Sequence, residues 1–289
     1  MKKYHNIEKE VTMNKDIRLI ATDLDGTLLN SRKELTPRTL RAITRAAEAG
    51  IEFVPATGRF YRGCPEELRK LPFIRYAVVI NGACVYDVKN DSFLCRADIP
   101  AADAVRLFDI LKNFPAEYEC YAEGWGYAPA DLAARIDEFT TSDFARRIVK
   151  TLRTTVPDLS AYVMEHFEGV HKVQMFTDDT AVLEAATRAV HEVYPDYLIT
   201  HALDCNLEIN SPGAGKGNAL RALAAHLGIA MDQVMVFGDG NNDISMLKAA
   251  GCGVAMANAH PEVLEAADRV TLSCDEDGVA AVIEELLEL

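Results

Sequence analysis

Residues 17–29 read IRLIATDLDGTLL, and their order decides the fold. Ile17 to Thr22 is a short, largely apolar run that stops at acidic residues and a glycine, the pattern of a strand buried on both faces. Thr36-Pro37 follows as an N-cap with proline at the first helical position, then Leu40 and Ile43 three apart, and Gly50 as a stop. Ile51 to Thr57 (IEFVPAT) and Tyr76 to Ala83 (YAVVINGA) repeat the short apolar run that ends in turn residues. Strand, helix, strand, helix, strand is the grammar of a parallel sheet with crossover helices.

The same grammar returns near the end of the chain. A helix from Gly217 to Leu227 stops at Gly228, a strand covers Val234 to Phe237, and a helix from Asp243 to Ala250 stops at Gly251. A strand from Gly253 to Met256 and a helix from Val279 to Leu287 close it. The middle differs in texture, with longer helices at Ala101 to Asn113 and Thr180 to Val193 and alternating strands at Val170 to Thr177 and Leu207 to Asn210. The expected class is therefore α/β: a Rossmann-like parallel-sheet core domain, residues 16–86 plus 212–289, with an inserted α+β domain at 87–211.

Composition narrows the function. Forty-four acidic against 30 basic residues give a formal charge of -14 with no compensating Lys/Arg block, which argues against nucleic acid as a partner. The seven cysteines form no CxxC pair and no Cys/His cluster of zinc spacing, so they are expected to be reduced and mostly buried. No run reaches the about 18 apolar residues of a membrane span, and no apolar h-region follows the basic start. A soluble cytoplasmic protein with no membrane partner is the expectation, as a monomer or small homo-oligomer. Residues 1–15 read as a polar, frayed extension in which Met13 is a possible natural start.

Asp23 and Asp25 stand at the carboxyl end of the first strand, where an open parallel sheet has its ligand crevice. A helix cap or turn is the plain alternative for Asp and Gly. Gly238-Asp239-Gly240-Asn241-Asn242-Asp243 ends another buried strand and belongs on the same edge. Four carboxylates there repel unless a cation sits among them, and Mg2+ suits one or two carboxylates with waters and phosphate oxygens. A calcium loop is excluded, because its sixth and twelfth positions would be Ile244 and Ala250 instead of Gly and Glu. Thr57, in Ala56-Thr57-Gly58-Arg59, ends a third strand and offers a hydroxyl beside backbone amides, or simply an N-cap. Lys216 lies in the glycine-rich turn GAGKG at 213–217. That turn is not a P-loop, since Asn210 and Gly217 occupy the positions of its first glycine and its Ser/Thr. Nor does the first strand lead into GxGxxG, which disfavours a dinucleotide-binding oxidoreductase.

DLDGTLL at 23–29, ATGR at 56–59, GAGKG at 213–217 and GDGNND at 238–243 resemble, in that chain order, the four motifs of haloacid dehalogenase-type phosphatases. The long insert between the second and third is similar to the cap placement of the Cof-like branch. The resemblance spans about residues 17–289. It implies a Mg2+-dependent phosphatase of small phosphorylated metabolites, such as sugar phosphates or phosphorylated cofactors. Asp23 would be the nucleophile that forms an aspartyl-phosphate, and Asp25 the general acid and base, for which a raised pKa is expected. Thr57, Gly58, Arg59, Lys216 and Asn242 would bind the substrate, with Thr57 and Lys216 also serving catalysis. Asp23, Asp25 (through its backbone carbonyl), Asp239 and Asp243 would hold the metal. A phosphomutase or phosphotransferase, or a non-catalytic ligand-binding protein on the same scaffold, are the competing readings. In the cap, His171, Lys172 and Glu208 read as exposed polar positions on half-buried strands, and Trp125, Tyr121 and Tyr127 as ordinary packing in a hairpin-like stretch.

Overall fold

The computed structural model describes residues 16–288 except 202, so the readings for residues 1–15 lie outside the described residues. Five parallel strands form the central sheet in the order Arg269–Val270, Cys252–Ala255, Val234–Gly238, Leu19–Thr22 and Glu52–Pro55. Successive side chains point to opposite faces and both faces are buried. Ile20, Phe53, Met235 and Phe237 feed one apolar cluster, and Leu19, Ala21, Val54 and Val236 the other. The register pairs Thr22 with Phe237 and with Pro55, so three chain segments leave the sheet at one level. Helix Pro37–Glu48 forms as read, with Thr36 capping through the Thr39 amide. Helix Lys216–Leu227 ends on left-handed Gly228.

Two elements differ from their reading. Tyr76–Val79 is a four-residue strand of a separate antiparallel sheet with Cys84–Asp87 and Ser92–Arg96, and among the described residues it joins the parallel sheet through a parallel Ala56–Val78 bridge. The reason is local: Ile80, Asn81 and Gly82 take φ of 56°, 56° and 84°, which turns the chain back on itself. The helix read from Asp243 to Ala250 is shorter, Ile244–Leu247, behind a 3-10 turn at Asn241–Asp243.

The middle of the chain forms a six-stranded sheet in the order Leu198–Thr200, Asn206–Asn210, Lys172–Phe176, Glu117–Ala122, Trp125–Pro129 and Arg153–Val156. Helices Ala101–Leu111, Leu159–His166 and Thr180–Val193 cover one face through Leu107, Val163, Ala186 and their neighbours. The opposite face carries Glu117, Glu119 and Tyr121 on one strand, with Lys172 and Gln174, then Glu208, on the next two. The antiparallel sheet that starts at Tyr76 continues to Arg96, so we propose that the chain crosses into the cap near residues 97–98 and returns near 211. There the Ser211 hydroxyl donates to the Ala97 carbonyl at 2.7 Å and tethers the two crossings. Six of the seven cysteines are buried and Cys95 is half-buried, all with free thiols.

Candidate active site

Asp23 leaves the central strand with its amide bonded to the Phe237 carbonyl at 3.0 Å, which fixes it beside the Val234–Gly238 strand end. Gly26 (φ 94°) then lets the chain pass Asp239, since a Cβ there would lie 2.4 Å from Asp239 Oδ2. The Thr27 hydroxyl donates to Asp239 Oδ1 at 2.6 Å. The first and last sequence motifs are thus locked together across 212 residues of chain.

Lys216 occupies the centre. Its side chain is fully buried, and its ammonium donates to Asp23 Oδ1 and to Asp243 Oδ1, both at 2.6 Å. Gly217 follows because a Cβ there would strike the Ser245 carbonyl at 2.3 Å, so the loop can press its lysine inward. Asp243 is also fully buried, and its Oδ2 accepts from the amides of Asp239 and Gly240, each at 2.9 Å. With both oxygens committed, Asp243 is placed to brace the cluster. Asp239 is steadied by Asn258, which donates to the Gly26 carbonyl at 2.9 Å and to Asp239 Oδ2 at 3.4 Å.

Ligand oxygens of Asp23, Asp239 and Asp243 lie within 4.8 Å of one another. Three carboxylates face one ammonium, a surplus of two negative charges. The strain registers in the carboxyls themselves. Burial, with Asp243 adding to it, pushes Asp23 up to about 7 even though Lys216 opposes the shift. Burial, helped by Asp23, pushes Asp239 to about 6 against the Thr27 hydrogen bond. Burial works against the Lys216 ammonium, yet Asp23 and Asp243 hold its pKa above the ordinary lysine value. A hard divalent cation with oxygen ligands answers both the charge surplus and the donor set.

Asp25 stands outside this trio of ligand carboxylates, although its charge adds to the rise of Asp23. Arg59 grips Asp25 bidentately, Nε to Oδ2 at 2.8 Å and Nη2 to Oδ1 at 2.6 Å, and Lys33 adds a contact at 3.0 Å. Burial favours the protonated acid, but Arg59 and Lys33 outweigh it and hold Asp25 below the ordinary carboxylate value. This reverses the raised value read from sequence. The cause is a pair of cations whose proximity the sequence hid: Lys33, in a left-handed turn (φ 64°), and Arg59 belong to different segments. Thr57 is buried and accepts from the Arg59 amide at 3.1 Å, so hydroxyl and guanidinium are set by one turn beyond the Glu52–Pro55 strand. Gly58 lies beside Asn81, 2.7 Å from its Oδ1 to a hypothetical Cβ, and Asn242 donates to the same Oδ1 at 3.1 Å.

Sequence reasoning missed Asn81, Asn258 and Lys33, and misjudged the cap residues. His171, Lys172 and Glu208 are all buried, and Lys172 bonds Glu208 at 2.6 Å. Lys172 and Glu208 sit on the sheet face that meets the core domain, so alternation signalled an interface there, while His171, just before the strand, bonds Asp98. Trp125 and Tyr121 both pack against Phe60 of the core, at ring separations of 5.7 and 5.9 Å. A second cluster, Cys84, Asp98 and His171, bridges core and cap. It is closed by a direct His171 Nδ1 to Asp98 Oδ1 hydrogen bond at 2.7 Å, shorter than two ligands about 2 Å from one zinc would stand apart.

The chain matches known proteins over most of its length. The family model for haloacid dehalogenase-like hydrolases matches residues 20–283. The chain is 31% identical over 280 residues to pyridoxal phosphate phosphatase YbhA of Escherichia coli (strain K12), covering 92% of this chain and 97% of that protein. It is 30% identical over 270 residues to 5-amino-6-(5-phospho-D-ribitylamino)uracil phosphatase YcsE of Bacillus subtilis (strain 168), covering 93% and 95%. A crystal structure of a haloacid dehalogenase-like hydrolase from Bacteroides thetaiotaomicron superposes with a TM-score of 0.79 at 28% identity, covering 93% and 99%.

Proposed function

The chain belongs to the haloacid dehalogenase-like hydrolase family and is a phosphoric monoester hydrolase, and from that premise we propose a Mg2+-dependent phosphatase of small phosphorylated metabolites that works through an aspartyl-phosphate on Asp23. The observation that carries the reading is Lys216, buried between Asp23 and Asp243 with Asp239 alongside. Three carboxylates around one lysine leave a negative surplus that a bound cation would answer, and cation and lysine together would let Asp23 approach a phosphate dianion.

In this reading Asp23 attacks phosphorus in line and the bond to the leaving oxygen breaks. Water then displaces Asp23 in a second in-line step. Lys216 offsets the charge of Asp23 so that it can approach a dianion. Asp23, Asp239 and the Asp25 backbone carbonyl would hold Mg2+, with Asp243 supporting through its bonds to the 239–240 amides. When bound, the cation supplies neutralisation of the developing phosphoryl charge. Thr57, the Gly58 amide, Lys216 and Asn242 hold the phosphoryl oxygens. Asp25 gives its proton to the leaving alkoxide and later takes one from the attacking water. Arg59 and Lys33 keep it ionised in the present arrangement. An arriving phosphate dianion draws on those cations and raises the proton affinity of Asp25, which makes its acid role dependent on substrate.

Among the described residues no helix is long and apolar enough to cross a membrane. We place the protein in the cytoplasm as a monomer or small homo-oligomer, with no nucleic-acid partner. YbhA and YcsE are named for quite different phosphorylated compounds, so the substrate panel for this chain includes pyridoxal phosphate, 5-amino-6-(5-phospho-D-ribitylamino)uracil, sugar phosphates and an aryl phosphate. Turnover is measured with Mg2+ or EDTA, and with Asp23→Asn. The reading expects phosphate release only with metal and only from the wild type. A folded wild type that hydrolyses nothing, or an active Asp23→Asn, rejects it, and transfer of the phosphoryl group to an added hydroxyl in place of water identifies a phosphotransferase.

A further inference from the structure

One chain of hydrogen bonds crosses from the crevice into the cap. Asn242 Nδ2 donates to Asn81 Oδ1 at 3.1 Å, Asn81 Nδ2 donates to Glu208 Oε2 at 2.6 Å, and the Lys172 ammonium donates to Glu208 Oε1 at 2.6 Å. Asn81, Glu208 and Lys172 are 7%, 4% and 1% exposed, so water does not compete for these bonds. Chemistry fixes the direction of the chain. A carboxylate paired with an ammonium only accepts, so Asn81 must turn its NH2 to Glu208 and its oxygen to Asn242, which must donate in turn. Each amide nitrogen has two hydrogens, and the second one on Asn242 stays available to an oxygen in the crevice.

The backbone is shaped to hold Asn81 in this place. Ile80 and Asn81 are both left-handed, and a branched residue takes that conformation only where the surroundings impose it. The turn is anchored by Ile80 N to Arg59 O at 3.0 Å and by Asn81 N to Thr57 O at 3.1 Å. Gly82 abuts the loop that delivers Lys216, since a Cβ on it would lie 2.3 Å from the Gly215 carbonyl carbon. The 80–82 turn therefore touches the segments of Thr57, Lys216 and Asn242, and Asn81 carries the contact on to Glu208.

We propose that Asn81 and Glu208 are positioning residues that couple cap closure to the phosphoryl group, so that an oxygen bound at Asn242 sets both amides and strengthens the grip on Glu208. This rests on the assignment of Asn242 to the phosphoryl site made above. The linkage is reciprocal: if the phosphoryl group favours the Asn81–Glu208 contact, that contact must tighten binding of the phosphoryl group. A Glu208 that only docks the cap has no such effect.

The test is calorimetric binding of orthovanadate, a phosphoryl analogue, in the presence of Mg2+, to wild type, Asn81→Ala, Glu208→Ala and the double variant. Weaker binding by about tenfold is expected for each single variant, with the double variant no weaker than either. Should Glu208→Ala fail to fold because Lys172 is left unpaired, Lys172→Met with Glu208→Met removes the ion pair and the acceptor for Asn81 together and must show the same loss. Trp125 fluorescence, which reports the Phe60 contact between cap and core, should be shifted in the same variants. Equal vanadate affinity in wild type and folded Glu208 variants overturns the proposal, as does a wild type that binds no vanadate. Loss of hydrolysis with vanadate coupling intact counts against the phosphatase reading alone.

Discussion

Without divalent cations the protein should lose stability between about pH 5 and about pH 8, and Asp23→Asn should remove much of that loss. Asp23 rises from 3.8 to about 7 in the folded state through burial first and Asp243 next. A carboxyl raised in this way keeps its proton in the folded protein where the unfolded chain has released it. Its contribution is complete below the unfolded value and fades as pH climbs to the folded one. About two units of that window lie above pH 5, and at about 1.4 kcal/mol per unit the loss is about 3 kcal/mol. Asp239, raised to about 6, adds a smaller fall over the lower part of the window. Asp25 does not interfere, since its depressed value places its own loss at more acid pH. Urea unfolding in EDTA, followed by circular dichroism, gives the profile. At about pH 8, Mg2+ should recover the loss in the wild type, because it binds the ionised folded cluster, and should do less at about pH 5, where protons compete. Parallel pH profiles for wild type and Asp23→Asn in EDTA, or equal Mg2+ stabilisation at both pH values, would refute the argument.

Three further outcomes follow from particular contacts. Gly82→Ala should destabilise by at least about 2 kcal/mol and depress activity, because the added Cβ meets the Gly215 backbone at 2.3 Å and the residue has φ of 84°; urea midpoints and phosphatase rates check both. Asn258→Ala should weaken Mg2+ binding about tenfold by freeing Asp239 and the Gly26 carbonyl, with little change in substrate affinity at saturating metal, as read by Mg2+ titration of activity. Glu117, buried without a hydrogen-bond partner among the described residues, is pushed well above its ordinary value by burial and then by Glu119. Glu117→Gln should therefore stabilise the protein at about pH 8 more than at about pH 5, and a loss of stability at about pH 8 speaks against a protonated Glu117.

The parallel sheet and the cluster at its exit were legible because each depends on local pattern. A buried strand followed by Asp-x-Asp-Gly, or by Gly-Asp-Gly, places its acids at the strand end whatever lies elsewhere. Lys216 was legible for the same reason, from a glycine-rich turn before a helix. What stayed hidden depends on segments far apart in sequence. Asn81 and Glu208 are 127 positions apart and meet only when the cap rests on the core. Glu208 and Lys172 alternate with apolar neighbours as solvent-facing residues do, although their face of the sheet is buried. The environment of Asp25 was misread because Arg59 and Lys33 converge on it from separate loops, and charge proximity in space leaves no trace in spacing along the chain. The reversal after Val79 had a visible signal, Asn-Gly at 81–82, set against an apolar run that looked like one more parallel strand.

The covalent role of Asp23 is tested most directly by the stereochemical course at phosphorus, measured with a chirally labelled phosphorothioate monoester hydrolysed in isotopically labelled water. Two in-line displacements, first by Asp23 and then by water, predict retention of configuration. Inversion would mean that water attacks the substrate directly and would contradict an aspartyl-phosphate on Asp23.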